Sequence, residues 1–137
     1  MQPLTRSIRT PVQPDSPAVA VARAHVEAFT NHDFTTARSL LAEDVHFILL
    51  NAEPDRPNLV EGHGSDSFME ALTRQPLIPG SAQIMASVGD ERHALLLVSV
   101  QADLSGGRLT IYSGRHYALD DQGKIKTEHV VIFSHPD

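Results

Sequence analysis

The sequence predicts an α+β fold in which three N-terminal helices pack on one face of a curved, mostly antiparallel sheet. Helix-forming stretches with apolar residues spaced by three and four occupy most of the first half of the chain. Four stretches rich in β-branched and aromatic residues fill the second half, separated by short turns. With 137 residues and a hydrophobic fraction of 41%, the chain is large enough for one domain with its own core.

The N-terminal segment is predicted to be a flexible arm over residues 1–15, followed by a single domain over 16–137. The arm contains three prolines and few large apolar residues. It also lacks the central apolar run of a secretory signal. We therefore expect the fold to begin at Ser16.

The first helix is predicted to begin at Ser16-Pro17, because a hydroxyl N-cap followed by proline in the first turn is a typical helix start. Its apolar face is expected to contain Val21, Ala22, His25, Ala28 and Phe29.

A second helix, FTTARSLLAE, is predicted to follow the break at Asn31-His32, with Asp33 as its cap. Leu40 and Leu41 are expected to point inward from it.

The middle of the chain predicts a strand, a short strand and a third helix. The stretch DVHFILLN is typical of a strand, and NLVEG leaves room for a shorter one. Ser65 or Ser67 is predicted to cap the helix SFMEALTRQ, with Glu70 at capping-box spacing from Ser67. Pro76 is expected to end this helix.

The second half predicts four consecutive strands, AQIMASVG, HALLLVSVQADL, RLTIYSGRHYAL and KIKTEHVVIF. The last two form a hairpin around Asp120–Gly123. A two- or four-residue loop would place Arg115 opposite Glu128, with both side chains on one face. A three-residue loop with Gly123 as a bulge would instead place His129 opposite Arg115.

Composition excludes several classes of function. A formal net charge of −6 with scattered basic residues argues against nucleic-acid binding. No stretch approaches the ~20 apolar residues of a membrane helix, and we expect a cytoplasmic protein that contacts no membrane. There are no cysteines, and the eight histidines show no metal-ligand spacing, so no metal site is predicted.

Three segments carry a resemblance to a known family: HVEAFTNHDFTTARSLLAEDVHFI, GHGSDSFMEAL and GRHYALDDQGKI. In their order and motifs, they resemble the nuclear transport factor 2-like superfamily, which includes SnoaL-like cyclases, ketosteroid isomerase and limonene epoxide hydrolase. The resemblance covers about residues 17–134. It implies a cone-shaped, cystatin-like roll with a cavity between the helices and the sheet.

The resemblance also implies which side chains face that cavity. It directs positions 115, 117, 128 and 130 inward, which favours the register that pairs Arg115 with Glu128. Together with His25 and Tyr117, these two residues form the expected catalytic set. The substrate-binding wall implied by the resemblance consists of Phe29, Phe47, Leu49, Asn51, Phe68, Val98, Val100 and Val130.

Two known mechanisms of the superfamily are not preserved. At the positions of the ketosteroid isomerase base, tyrosine and neutral acid, this chain has Leu49, His25 and Arg115. The two aspartates of limonene epoxide hydrolase align with Tyr117 and Val130. The resemblance therefore implies a different constellation.

The function expected from these residues is that of a small enzyme that needs no cofactor: an isomerase, a cyclase, a dehydratase (a lyase) or a hydrolase. Glu128 and His25 would transfer protons on a hydrophobic small molecule that bears a carbonyl or hydroxyl. Arg115 and Tyr117 would stabilise developing negative charge.

The alternative is a non-catalytic binding or dimerisation module, whose cavity is filled by Phe47 and Phe68. The resemblance also implies a homodimer formed through the outer sheet face, where Leu95, Leu97 and Ser99 would lie.

Overall fold

The computed structural model describes residues 14–52, 58–104 and 106–136. Most of the predicted N-terminal arm, residues 1–13, lies outside the described residues. Within the described part of the chain, no helix is long and apolar enough to cross a membrane.

The described residues form three helices and a six-stranded sheet in the order β2-β1-β6-β5-β4-β3. The sheet is curled but does not close, and all neighbouring strands are antiparallel except β1 and β6. The predicted α+β architecture is thereby confirmed. The elements are α1 Pro17–Thr30, α2 Phe34–Ser39, β1 Leu41–Asn51, β2 Asn58–His63, α3 Ser65–Thr73, β3 Gln83–Gly89, β4 His93–Leu104, β5 Gly107–Leu119 and β6 Ile125–Pro136.

Helix α1 begins as predicted. The Ser16 side-chain oxygen accepts a hydrogen bond from the Val19 backbone N–H at 3.3 Å, and Pro17 occupies the first turn. The buried face is wider than predicted, since it also includes Ala18, Val19 and Val26. A wide apolar face matches the position of α1, which packs against the sheet along its length.

Helix α2 is shorter than predicted. Asp33 caps it by accepting from the Thr36 N–H at 3.3 Å, but the helix ends at Ser39. The Leu40 carbonyl accepts a hydrogen bond from the Ile125 N–H at 2.9 Å, and Leu41 pairs with Ile125. The prediction that Leu41 is helical was wrong, because its backbone joins the sheet.

Helix α3 has no side-chain cap, so the prediction of Ser65 or Ser67 was wrong. The cap position is Gly64, whose φ of 98° is strained for any residue with a Cβ. The Gly64 N–H donates to the Val45 carbonyl at 2.8 Å. This bond to β1 positions the start of α3. The helix ends at Thr73, before Pro76, as the proline predicted.

The β5–β6 hairpin follows neither predicted register along its length. Hydrogen bonding of the Asp120 N–H to the Lys124 carbonyl at 2.8 Å closes a three-residue loop with Gly123 at φ 78°. A second irregularity follows, because Ala118 pairs with Thr127 while Leu119 pairs with Ile125, which skips Lys126.

The two irregularities shift the register by one residue each relative to the preferred prediction. Arg115 therefore lies opposite Val130, and Tyr117 lies opposite Glu128. A register shift of two residues leaves every side chain on the same face of the sheet. Arg115 and Glu128 consequently share the inner face, as predicted, but as diagonal neighbours.

The two faces of the sheet differ in burial. On β4, Ala94, Leu96 and Val98 are buried, whereas Leu95 and Leu97 are 54% and 38% exposed. We call the buried side, which packs on the helices, the inner face and the opposite side the outer face. Ser99, which the sequence placed beside the two leucines, is half-buried.

Candidate active site

Four polar side chains converge between α1 and the inner face of the sheet. His25 comes from α1, Arg115 and Tyr117 from β5, and Glu128 from β6. His25, Tyr117 and Glu128 are completely buried, and Arg115 is 8% exposed. The structure thus brings together all four residues of the predicted catalytic set.

Arg115 is the centre of this cluster. Its Nη1 donates to Glu128 Oε2 at 3.0 Å and to the Tyr117 hydroxyl at 3.4 Å. Its guanidinium carbon also lies 4.9 Å from the centre of the Phe29 ring, within the range of a cation–π contact. These contacts hold the guanidinium in one orientation.

Ser113 is a further member of the cluster that sequence reasoning missed. Its Oγ accepts a hydrogen bond from Arg115 Nε at 2.9 Å, and the residue is 2% exposed. Residues two apart on a strand share a face, so this spacing could have identified Ser113. Serine at a strand position has no distinctive pattern of its own.

Three buried polar atoms of the cluster have no hydrogen-bond partner among the described residues: both ring nitrogens of His25, and Glu128 Oε1. His25 Nδ1 approaches Glu128 Oε1 to 3.5 Å. This approach is not a hydrogen bond by geometry. Leaving a buried polar atom unpaired costs about 1–3 kcal/mol, so three such atoms in one place are unusual for a structural core.

Burial shifts the proton affinities of the cluster in opposite directions. Loss of hydration raises the pKa of Glu128 to about 7, although Arg115 and a hydrogen bond from Tyr117 oppose the rise. Loss of hydration and repulsion by Arg115 lower the pKa of His25 to about 3. Burial also raises the pKa of Tyr117.

At pH 7, the Glu128 carboxyl is therefore balanced between its two forms, while the His25 imidazole and the Tyr117 phenol are neutral. The sequence predicts His25 as an acid or a proton shuttle near neutral pH; with its pKa lowered to about 3, it has no imidazolium form there to act as the acid. A neutral imidazole can donate or accept a hydrogen bond, but it has no imidazolium proton to give up as an acid.

The apolar residues predicted to line an open pocket are closely packed. Leu49 and Asn51 are half-buried, and the others are at most 5% exposed: Phe29, Phe47, Phe68, Val98, Val100 and Val130. The Phe47 and Phe68 rings stack with their centres 4.6 Å apart, and Phe68 lies 5.9 Å from the His25 ring. These rings occupy the space beside the polar cluster.

A cavity of about 550 Å³ instead opens on the outer face, between strands β3 to β6. It is lined largely by apolar residues, among them Val88, Leu95, Leu97 and Val131. Within residues 14–52, 58–104 and 106–136, no group of three or more histidine or acidic side chains is arranged to hold a metal ion.

Solved structures similar to this one include a nuclear transport factor 2-like protein of unknown function from Cytophaga hutchinsonii. It is 16% identical, with a TM-score of 0.64 over 88% of this chain and 94% of that one. Neither the protein-family models nor the curated proteins contain a match to the chain.

Two enzymes are among the other similar structures. The Δ5-3-ketosteroid isomerase of a Mycobacterium species is 16% identical, with a TM-score of 0.68 over 85% of this chain and 92% of that one. An epoxide hydrolase of Mycobacterium tuberculosis is 18% identical, with a TM-score of 0.65 over 87% of this chain and 85% of that one. At these identities the similarity establishes a shared fold.

Proposed function

The chain has the nuclear transport factor 2-like fold, and we propose that it is a small enzyme of the SnoaL-like type that needs no cofactor. It acts on a hydrophobic small molecule bearing a carbonyl or hydroxyl group. The observation that carries this proposal is the environment of Glu128, a completely buried carboxyl with one unpaired oxygen and a pKa near 7. A general base works best when its pKa lies near the operating pH.

A purely structural ion pair between Arg115 and Glu128 explains this environment less well. Burying two charges costs several kcal/mol per ion, which is recovered only when the remaining hydrogen-bonding positions are satisfied. Here Glu128 Oε1 and both His25 nitrogens are without partners among the described residues. Buried groups with perturbed pKa values and unpaired polar atoms that converge in one place are typical of functional sites.

The four residues divide into two pairs by role. Glu128 accepts a proton from the substrate, and neutral His25, 3.5 Å from Glu128, donates a hydrogen bond to the substrate oxygen. Arg115 and the neutral Tyr117 hydroxyl stabilise the oxyanion that develops. Isomerases, cyclases, dehydratases and hydrolases all share such a proton-transfer step.

Substrate reaches Glu128 by displacing the stacked Phe47 and Phe68 rings. Both rings are at most 3% exposed, and Phe68 also contacts His25. A ligand that binds the opened form better than the packed form shifts the population toward it. The same rings set the preference for an apolar substrate.

The second candidate is a non-catalytic module of the same fold. The close packing of Phe47 against Phe68 favours it, because a filled interior leaves no space for a ligand. Such a module would bind a small ligand elsewhere or serve dimerisation; no hydrophobic compound would bind beside the polar cluster, which would have only a structural role, and none would be turned over.

The test begins with a thermal-shift screen of hydrophobic ketones, ketosteroids and epoxides, the compound classes that the two similar enzymes suggest. Compounds that bind are then assayed for turnover. Glu128→Gln should reduce turnover by about 10²-fold or more, the usual contribution of a general base. Glu27→Gln, which alters an exposed carboxylate on α1, is the control. Full turnover in the Glu128 variant would show that Glu128 is not the base.

The chain is also proposed to form a homodimer through the outer face of the sheet. Several large apolar side chains are exposed there, including Val88, Leu95, Leu97, Val131 and Phe133. Apolar patches of this kind mark association surfaces in soluble proteins. The location of the protein in the cytoplasm stays a prediction from composition.

A further inference from the structure

Five histidines cross the outer face of the sheet in a continuous row, one on each of five adjacent strands. In sheet order from β2 to β4, they are His63, His46, His129, His116 and His93, and we call them the histidine row. His46 pairs with His63, and His116 pairs with His129, directly across neighbouring strands. The sequence pattern predicts no role for these residues.

The imidazoles of the row contact one another. His93 Nδ1 lies 3.1 Å from His116 Nε2, and His116 Nδ1 lies 3.3 Å from His129 Nδ1. The His46 and His63 rings stack at 4.6 Å, and the His46 ring lies 5.9 Å from that of His129. Neutral imidazoles accept such contacts, because each ring can donate to the next, but adjacent imidazolium cations repel.

Two members of the row border the outer-face cavity. His116 and His129 line it together with Leu95, Leu97 and Val131. Leu95 lies directly opposite His116 in the sheet, and Val131 follows His129 by two residues on the same face. The central histidines therefore belong to the same surface as the exposed apolar side chains.

Charged groups lie mainly at the two ends of the row. Glu61 contacts His46 at 2.6 Å, and Arg38, Glu43 and Asp66 share a pocket with His63. At the other end, Asp90 interacts with His93.

The pair formed by Arg92 and Asp121 lies on the turns beside His93. Arg115 borders the cavity only by its backbone position, since its side chain points to the inner face. Among the described residues that line the cavity, His116 and His129 are the ones with an ionisable side chain on the outer face.

We propose that the outer face binds a second copy of this chain only while His116 and His129, the two members of the histidine row that line the cavity, are neutral, and that their protonation separates the two copies. This inference rests on the proposed homodimer and is independent of the proposed catalysis. It adds a control of association that the exposed apolar residues alone do not supply.

The properties of the face favour a second copy as the occupant. Each copy carries a formal net charge of −6, so two copies repel each other over long range, and their association depends on burying the exposed apolar side chains of this face. Six strands about 4.8 Å apart span about 24 Å, and about seven residues of about 3.3 Å each span about 23 Å, which gives a projected area of about 550 Å². Side chains make the accessible area larger than this projection, and bring it closer to the roughly 800 Å² that each partner buries in a standard interface.

The sign of the pH effect follows from burial. Between two copies, the imidazoles that line the contact leave water, and loss of hydration favours the neutral form of a histidine. Already in one copy, burial and the neighbours His129 and His93 lower the pKa of His116. Association is therefore complete above the free-chain pKa and is lost as the pH falls below it.

The expected magnitude comes from proton linkage. A histidine with a pKa of about 6.5 that must be neutral in the dimer weakens association about tenfold between pH 7.5 and pH 5.5. One such histidine, counted once per copy, gives about 10²-fold, and two such histidines per copy give about 10⁴-fold as an upper limit.

Sedimentation velocity over a concentration series at pH 7.5 and pH 5.5 tests the inference. We expect a dimer at pH 7.5 and a dissociation constant that rises between 10²- and 10⁴-fold at pH 5.5. The double variant His116→Asn, His129→Asn should dimerise with at most a few-fold dependence on pH. His32→Asn is the control, because His32 bonds to the Leu77 carbonyl, and asparagine tolerates its φ of 63°.

The outcomes separate the two proposals. A dimer that persists equally at both pH values, with Leu97→Glu abolishing it, would overturn the pH control and retain the interface. A monomer at pH 7.5 at every concentration, or a dimer unaffected by Leu97→Glu, would overturn both. Far-ultraviolet circular dichroism of each variant verifies that it is folded.

Discussion

Replacing Glu128 by glutamine should stabilise the protein at alkaline pH, although the change removes one partner of the buried pair with Arg115. Glutamine has the shape of the protonated carboxyl and keeps an oxygen that can accept the hydrogen bond from Arg115. The wild-type protein, in contrast, must hold an ionised carboxylate in a site with no exposure above pH 7.

The magnitude follows from the pKa of Glu128 in the two states, about 7 when folded and 4.5 when unfolded. Since the folded-state pKa is raised, the folded chain binds the proton more tightly, and its stability falls as the pH rises from 4.5 through 7. At about 1.4 kcal/mol per pH unit, the full loss is about 3 kcal/mol. Glutamine avoids this loss.

Urea unfolding at pH 4, 6 and 8 measures the difference in unfolding free energy between the Glu128→Gln variant and the wild type. We expect a difference near zero at pH 4 that rises to about 3 kcal/mol in favour of the variant at pH 8. His25, with a pKa lowered to about 3, affects both proteins equally. Glu27→Gln should show no such trend. A variant less stable than the wild type at pH 8 would mean that the ionised pair with Arg115 stabilises the fold, and the argument for a tuned base would fail.

Two further predictions concern the surroundings of the cluster. Phe68→Ala should lower the unfolding free energy by about 3–5 kcal/mol, because it removes a completely buried ring. If the ring closes the site, the variant should also bind hydrophobic ketones more tightly in calorimetry. Unchanged binding would contradict that role. Ser113→Ala removes the acceptor for Arg115 Nε and should reduce kcat about tenfold with little change in KM, since a misoriented guanidinium stabilises the oxyanion less well. Ser113→Thr should restore part of the rate. A full rate in the alanine variant would show that Ser113 does not position Arg115.

Sequence reasoning succeeded where a local pattern determines the outcome. The N-cap at Ser16 and the alternation along β5 and β6 predicted the start of α1 and the shared face of Arg115 and Glu128. The alternation decides the face of a side chain, but the register depends on bulges. Nothing local marks Lys126 as the residue that the pairing skips.

Other features depend on contacts between distant segments. Helix α2 ends early because Leu40 bonds to Ile125, more than eighty positions away in the chain. The filling of the interior by Phe47 and Phe68 depends on how rings from a strand and a helix fit together, which no periodicity records. The outer histidine row likewise exists only once five strands lie side by side.

The position of β6 has a consequence for biosynthesis. This strand lies between β1 and β5, so it is the strand that joins the β2-β1 ribbon to the β5-β4-β3 ribbon in the sheet. On the ribosome both ribbons emerge first, each with an open edge that can recruit a neighbouring nascent chain. A stop codon or a frameshift upstream of β6 would leave both edges exposed and remove Glu128 at the same time, so truncated products should aggregate rather than persist as inactive monomers.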